Sequence, residues 1–197
     1  SMTTKNRNPV TRPVSSMFAQ RWSPYVFDAE REVRKEDLES IFEAARWAMS
    51  AFNAQPWRYI VGVRGRTQET WDRVHASLLS GNQGWTQNAQ VLALGLAVRD
   101  YEHNGKPNNT ALHDLGAASA SLSYEAAARG LAVHQMAGID PDKARELFDI
   151  PEGITPFTGL AIGYAGDLES ADAGLADRDR KERTRKPLQD LIIRGGF

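Results

Sequence analysis

A mixed α+β domain, with a central sheet packed between helices, is what this sequence predicts, on three grounds. Val91 to Val98 is an unbroken apolar run of strand length, as expected where a strand is covered on both faces. Apolar residues elsewhere recur at three- and four-residue steps, the period of a helix with one buried face. Helical and strand-like segments follow one another without a clean strand-helix-strand alternation, which reads as an α+β domain. The 197 residues are enough for one sizeable core. No internal repeat or low-complexity linker divides them. Residues 17–197 therefore read as a single domain with an extended C-terminal tail, preceded by a polar arm over residues 1–16. Ser1, ahead of Met2, reads as a cloning remnant.

From Glu36, the residues Leu38, Ile41, Phe42, Ala45, Ala48 and Met49 form one apolar stripe, the mark of an amphipathic helix. Trp57 to Val63 is aromatic and β-branched and reads as a strand. A second helix is expected from about Thr67, burying Trp71, Val74 and Leu78, with Gly81 as its C-terminal cap. After the Val91–Val98 strand and a loop over Asn104–Asn109 comes a long helix. It buries Leu112, Leu115, Ala118, Ser119, Leu122 and Ala126 and is closed by Gly130. Its Ala, Gly and Ser residues permit close approach by another helix or a cofactor. Asp140-Pro141 places a capping carboxylate before a proline at the first helical position, opening a short helix. Phe157 to Tyr164 reads as a further strand and residues 165–182 as a charged loop. The tail regains Leu188, Leu191, Ile192 and Ile193, apolar groups that need a surface to cover them.

Composition removes several function classes. Lys and Arg number 24 against 25 Asp and Glu, so no net field holds nucleic acid or an anionic membrane. Cysteine is absent, which excludes disulfides, thiolate metal sites and a cysteine nucleophile. No apolar run has the length of a bilayer span and no signal peptide opens the chain, so a cytoplasmic protein is expected. The histidines at 75, 103, 113 and 134 lack metal-ligand spacing. There is no P-loop, no nucleophile elbow and no glycine fingerprint of a dinucleotide-binding βαβ unit. His134 lies in an apolar stretch and reads as a packing residue.

Three segments stand out. Arg21-Trp22-Ser23-Pro24-Tyr25 lies near the N-terminus. Ser50-Ala51-Phe52-Asn53-Ala54-Gln55-Pro56-Trp57-Arg58 joins the first long helix to the first strand. Arg183-Thr184-Arg185-Lys186-Pro187 lies near the C-terminus. A phosphate dianion calls for several charge-assisted donors, and the planar guanidinium fork suits it. Arg21, Arg183 and Arg185, with the Ser23 hydroxyl, supply four. In this order and at these separations the segments resemble the three anchor motifs of the FMN-dependent nitroreductase family, from about Met17 to about Ile193.

The resemblance implies a nitroreductase-like fold in an intertwined homodimer, with each FMN touched by both chains. It places Arg21, Ser23, Arg183 and Arg185 at the phosphate and implies cofactor contacts for Trp22 and Tyr25. It brings Ser50 and Asn53 toward the flavin ring, in part across the dimer. Asn82 is carried over to the polar edge of the ring. The stretch Gly130 to Gly138 is similar to the family segment beside flavin N5, where Gln135, Met136, Ala137 and Gly138 are expected. Tyr25 departs from the family pattern: relatives often carry a basic residue there, which would favour the anionic reduced flavin. This departure bears on the reduction potential.

The implied activity is hydride transfer from NADH or NADPH to the flavin and then to a small electron-poor acceptor such as a nitroaromatic or quinone, alternating in one cleft. Flavin carries the redox chemistry, so no acid or base side chain is required, and none is assigned. A related flavin activity such as reductive dehalogenation, or storage and delivery of FMN without turnover, fits the same residues. Homodimerisation and a small-molecule acceptor are the expected partnerships, with neither nucleic acid nor membrane.

Overall fold

The structure, a computed structural model, describes residues 7–197, so Ser1 and Met2 lie outside the described residues. In chain order the helices and strands are α1 (Ser16–Gln20), α2 (Lys35–Arg46), β1 (Trp57–Val63), α3 (Gln68–Ala76), α4 (Ser80–Thr86), β2 (Val91–Val98), α5 (Ala111–Ala128), β3 (Ala132–Met136), α6 (Pro141–Phe148), β4 (Ile154–Gly163) and α7 (Ala173–Arg180). The strands form one antiparallel sheet in the order β1-β2-β4-β3.

The apolar run that predicted a doubly covered strand becomes β2, with β1 on one side and β4 on the other. Its side chains alternate between two cores, as the period of two requires. Val91, Ala93 and Ala97 join Ile41 of α2 and Leu115, Ala118 and Leu122 of α5. Leu92, Leu94 and Leu96 join Trp71 and Val74 of α3, Trp85 of α4 and Ala144 of α6 on the other face. Helices therefore cover the sheet on both sides. Local chemistry fixes the ends: the Asp140 carboxylate accepts the Lys143 amide at 3.1 Å to open α6. Gly130, at φ +77°, turns the chain from α5 into β3.

Several boundaries differ from expectation. Helix α2 ends at Arg46, so Met49 falls off the stripe and is 76% exposed. Gly81 caps nothing: α3 closes at Ser77, and Gly81 is the second residue of α4, an additional helix too short to show a period in the sequence. Leu78 lies past the end of α3 but is still buried, bridging to Ile139. Strand β4 starts at Ile154, ahead of Phe157. The segment 165–182 is not all loop, for it holds α7, opened by Asp172, whose carboxylate accepts the Leu175 amide at 3.0 Å. That helix buries little beyond Ala176 and Asp179, so it has no apolar stripe to announce it. In the single chain the tail is uncovered, with Leu191 66% exposed and Ile193 wholly so.

One glycine sets how closely a helix seats on the sheet. A Cβ on Gly62 of β1 would lie 2.2 Å from the Trp71 backbone nitrogen and 2.4 Å from its Cα. Only backbone faces it, so nothing soft can yield. Gly62→Ala is expected to cost about 3 kcal/mol by forcing α3 off the sheet. Gly84→Ala, in α4 with open space around it, should be neutral or stabilising by up to about 1 kcal/mol. Urea unfolding of the two variants measures the contrast, and equal midpoints would show that α3 seats less tightly than the backbone contact implies.

Candidate functional site

The chain leaving α1 is held by a buried carboxylate from the far end of the sequence. Asp179 of α7 accepts the backbone N–H groups of Tyr25 and Val26, both at 2.9 Å. The Pro24 carbonyl meets His134 Nδ1 at 2.9 Å. Burial holds the His134 imidazole below its usual pKa, opposed by the Pro24 carbonyl and the Asp179 charge. These contacts fix the segment that places Arg21 and Ser23 in the lining of a cavity of about 260 Å³, together with Ser123, Tyr124 and Gln135. Arg21 Nη1 lies 3.5 Å from Ser23 Oγ, and its guanidinium lies 5.7 Å from the centre of the Tyr124 ring. The Gln135 amide is oriented by the Ser119 carbonyl at 3.3 Å and Ser123 Oγ at 3.0 Å.

Motifs from the two ends of the chain meet beside this cavity. Arg183 is pushed below the usual guanidinium pKa by burial and then by the charges of Arg21, Arg185 and Arg7. Its Nε donates to Asn8 Oδ1 at 2.6 Å, while the Asn8 amide donates to the carbonyls of Phe18 at 2.6 Å and Arg21 at 2.8 Å. The described part of the N-terminal arm is thus fastened to its own chain by Asn8. Arg7 lies 3.6 Å above the Trp22 ring and is also pushed down by burial, with Asp179 opposing. Among the described residues, none of Arg7, Arg21, Arg183 and Arg185 is ion-paired to a carboxylate. Four cations gathered in this way repel one another and present a site for an anion.

The other predicted residues fall in three places. Tyr25 packs in the core, edge-on to Trp85 at 5.1 Å and to His134 at 4.8 Å, with the Arg178 guanidinium 5.0 Å from its ring centre. It does not line the cavity of Arg21 and Ser23. Asn82 and Gly138 are brought together: Asn82 Nδ2 donates to the Gly138 carbonyl at 3.0 Å, and its Oδ1 accepts from Trp85 Nε1 at 3.1 Å. A Cβ on Gly138 would lie 2.5 Å from that amide, so the bare glycine makes room for Asn82. The Met136 side chain is buried with Leu78 and Ile139 over Gly159 of β4, and Ala137 is exposed.

Ser50 and Asn53 lie apart from these. Their loop is anchored where the Ala51 N–H donates to Asp114 Oδ2 at 3.1 Å, in the first turn of α5. Asp114 and Tyr124 are ten residues apart, about 15 Å along the helix. Ser50 Oγ accepts the Gln55 amide at 3.1 Å. Phe52, Asn53 and Gln55 adopt φ of +53°, +51° and +49°, conformations that non-glycine residues hold at a cost of about 1–3 kcal/mol each and mainly where function requires them.

Sequence reasoning missed Arg7, Asn8, Arg178 and Asp179. Arg7 and Asn8 sit in a segment with no pattern. Asp179 and Arg178 lie in the helix read as loop, and only the capping Asp172 could have signalled it.

The profile of the Nitroreductase family matches residues 18–164. The chain belongs to the nitroreductase family. It is 35% identical over 144 residues to an uncharacterised 15.4 kDa protein of Mycolicibacterium smegmatis, covering 70% of this chain and 95% of that one. It is 25% identical over 221 residues to the major NAD(P)H-flavin oxidoreductase of Aliivibrio fischeri, covering 93% and 99%. A crystal structure of an oxidoreductase containing FMN matches it with a TM-score of 0.88 at 37% identity, over 100% of this chain and 98% of that one. The α+β architecture described above is the nitroreductase fold.

Asp179→Ala leaves the Tyr25 and Val26 amides without an acceptor, an expected loss of about 3 kcal/mol. Denaturant unfolding tests it, and a loss below about 1 kcal/mol would mean water replaces the clasp. The lowered His134 pKa gives a second expectation. The unfolded chain takes up a proton below about pH 6.5 that the buried imidazole resists, so stability falls as pH drops through that range. His134→Gln should flatten this limb of the stability-pH curve, and an unchanged slope would assign the dependence to other groups.

Proposed function

We propose that the arginine cluster and its cavity bind FMN by the phosphate, and that the protein is an FMN-dependent oxidoreductase working as a homodimer. In this reading NADH or NADPH is the hydride donor and a small electron-poor molecule, such as a nitroaromatic or a quinone, the acceptor. The observation that carries the reading is the gathering of Arg7, Arg21, Arg183 and Arg185 with no carboxylate paired to them among the described residues. A terminal phosphate dianion suits that donor set, and Ser23 adds a hydroxyl.

Each residue then has a physical task. The arginines offset the phosphate charge and supply charge-assisted hydrogen bonds. Asp179 and Asn8 position them. Gln135 and Ser123 present polar groups along the wall of the cavity. Asn82, already bonded to Gly138, rigidifies the turn after β3 expected near the ring. Ser50 and Asn53 serve a ring held mainly by the partner. FMN, when bound, supplies the capacity to take up and give back a hydride. The uncovered Trp47, Met49, Leu191, Ile193 and Phe197 provide the apolar surface that a second copy would bury.

Heat release and mass spectrometry should identify the bound flavin as FMN, and FAD or no flavin would overturn the assignment. Either NADH or NADPH should bleach the flavin band without oxygen, whereas a flavin store would keep its colour. Light scattering should return the mass of a dimer. Arg185→Ala should lose one charge-assisted contact, about 1.5–3 kcal/mol or roughly 10- to 150-fold in FMN affinity, with the fold intact. Full retention of flavin through dialysis would make Arg185 a surface charge.

A further inference from the structure

Two buried serines of α5 decide which end of the Gln135 amide faces the cavity. Gln135 Nε2 lies 3.3 Å from the Ser119 carbonyl and 3.0 Å from Ser123 Oγ. A carbonyl oxygen can only accept, so the Gln135 atom facing it is the NH2 group. Ser123 Oγ donates its own proton to that same carbonyl at 2.8 Å, and so turns a lone pair to the second amide proton. Both amide protons are therefore engaged. Among the described residues nothing donates to Oε1, which is left as the free end of the amide on the cavity that Gln135 lines. Ser119 and Ser123 are 1% and 5% exposed, so solvent does not compete for them. Ser119 is in turn seated by its own hydroxyl, 2.8 Å from that of Tyr59 on β1. Burial pushes the Tyr59 phenol up to about 12, so this pair stays neutral and bonded at ordinary pH.

The cavity thus has two unlike ends. Arg21 offers donors, which suit a phosphate, whereas Gln135 offers an acceptor. A phosphate dianion has no proton to give, so the group opposite Oε1 must be another part of the same ligand. We propose that Gln135 Oε1 accepts a hydrogen bond from a hydroxyl of the sugar-alcohol chain that carries the phosphate, with Ser119 and Ser123 as positioning residues. The proposal rests on the flavin reading above and deepens it. A glutamine free to turn would swing its NH2 group toward the anion and would serve any phosphate equally. The serine pair forbids that turn, because Oε1 would then meet the Ser119 carbonyl, acceptor against acceptor. The cavity selects a polyol phosphate over a bare or alkyl phosphate.

A competition experiment tests this. The full-length protein with its flavin is dialysed to equilibrium against equal concentrations of FMN and an analogue whose ring and phosphate are joined by a pentyl chain without hydroxyls. Mass spectrometry then reads the ratio of the two bound flavins. Gln135→Met keeps the side chain's length and removes Oε1, and it should lower the preference for FMN about tenfold relative to the parent. Ser123→Ala frees the amide to turn and should lower it several-fold. A fold loosened by substitution weakens both ligands alike, so the ratio registers the hydroxyl contact alone. A ratio in either variant equal to the parent's would overturn the proposal while leaving FMN binding intact. Uptake of neither flavin by the parent would instead defeat the cofactor assignment, and calorimetry with ribitol phosphate and pentyl phosphate then decides. Tighter binding of ribitol phosphate by the parent, lost in Gln135→Met, upholds the acceptor role of Oε1, and equal or absent binding overturns it.

Discussion

Guanidinium groups repel one another, and a chain that gathers four of them must hold them there by other means. Two polar side chains do most of that work. Asp179 grips the amides after Pro24 and so fixes the segment that carries Arg21. Asn8 ties the carbonyls of Phe18 and Arg21 to the Arg183 side chain, joining residues 175 positions apart in the sequence. The remaining architecture serves this convergence. Helices on both faces of the sheet set α5 and β3 side by side, and these supply the Ser123, Tyr124 and Gln135 wall. A fold with its two termini on opposite sides could not assemble the cluster.

The repulsion has a second effect. Desolvation and mutual charge both lower the pKa of Arg183, yet a guanidinium starts so far above neutrality that it stays ionised. A lysine in that position would be far easier to neutralise. Arginine is therefore the side chain that keeps its charge under these conditions, and its planar fork preserves directional bonding in a crowded site.

Much of this was legible in the sequence, for identifiable reasons. Val91–Val98 and Trp57–Val63 were placed to the residue because strands covered by helices leave a dense apolar signature. Helix α5 and its closing Gly130 were equally plain. The motifs showed that Arg21, Arg183 and Arg185 belong together, though not what holds them. What escaped was short or polar. Helix α4 spans seven residues, α7 buries little, and Asp179 and Asn8 act by hydrogen bonds that leave no periodic trace. Tyr25 showed a further limit. A sequence marks a changed residue but not its direction, and the ring packs into the core beside Trp85 and His134.

The Ser50–Gln55 loop divides its labour in an unusual way. Its hydrogen bonds come from main-chain groups, Ser50, Gln55, Arg58 and a carboxylate from α5, while the side chains at 52 and 53 supply none of them. Residues tolerant of a left-handed backbone, such as Gly and Asn, can exchange at these two positions without unmaking the turn. The chemistry displayed there is thereby uncoupled from foldability. A lineage could alter what the loop offers to solvent by single substitutions at little cost to stability, so this corner of the molecule is where divergence should be cheapest.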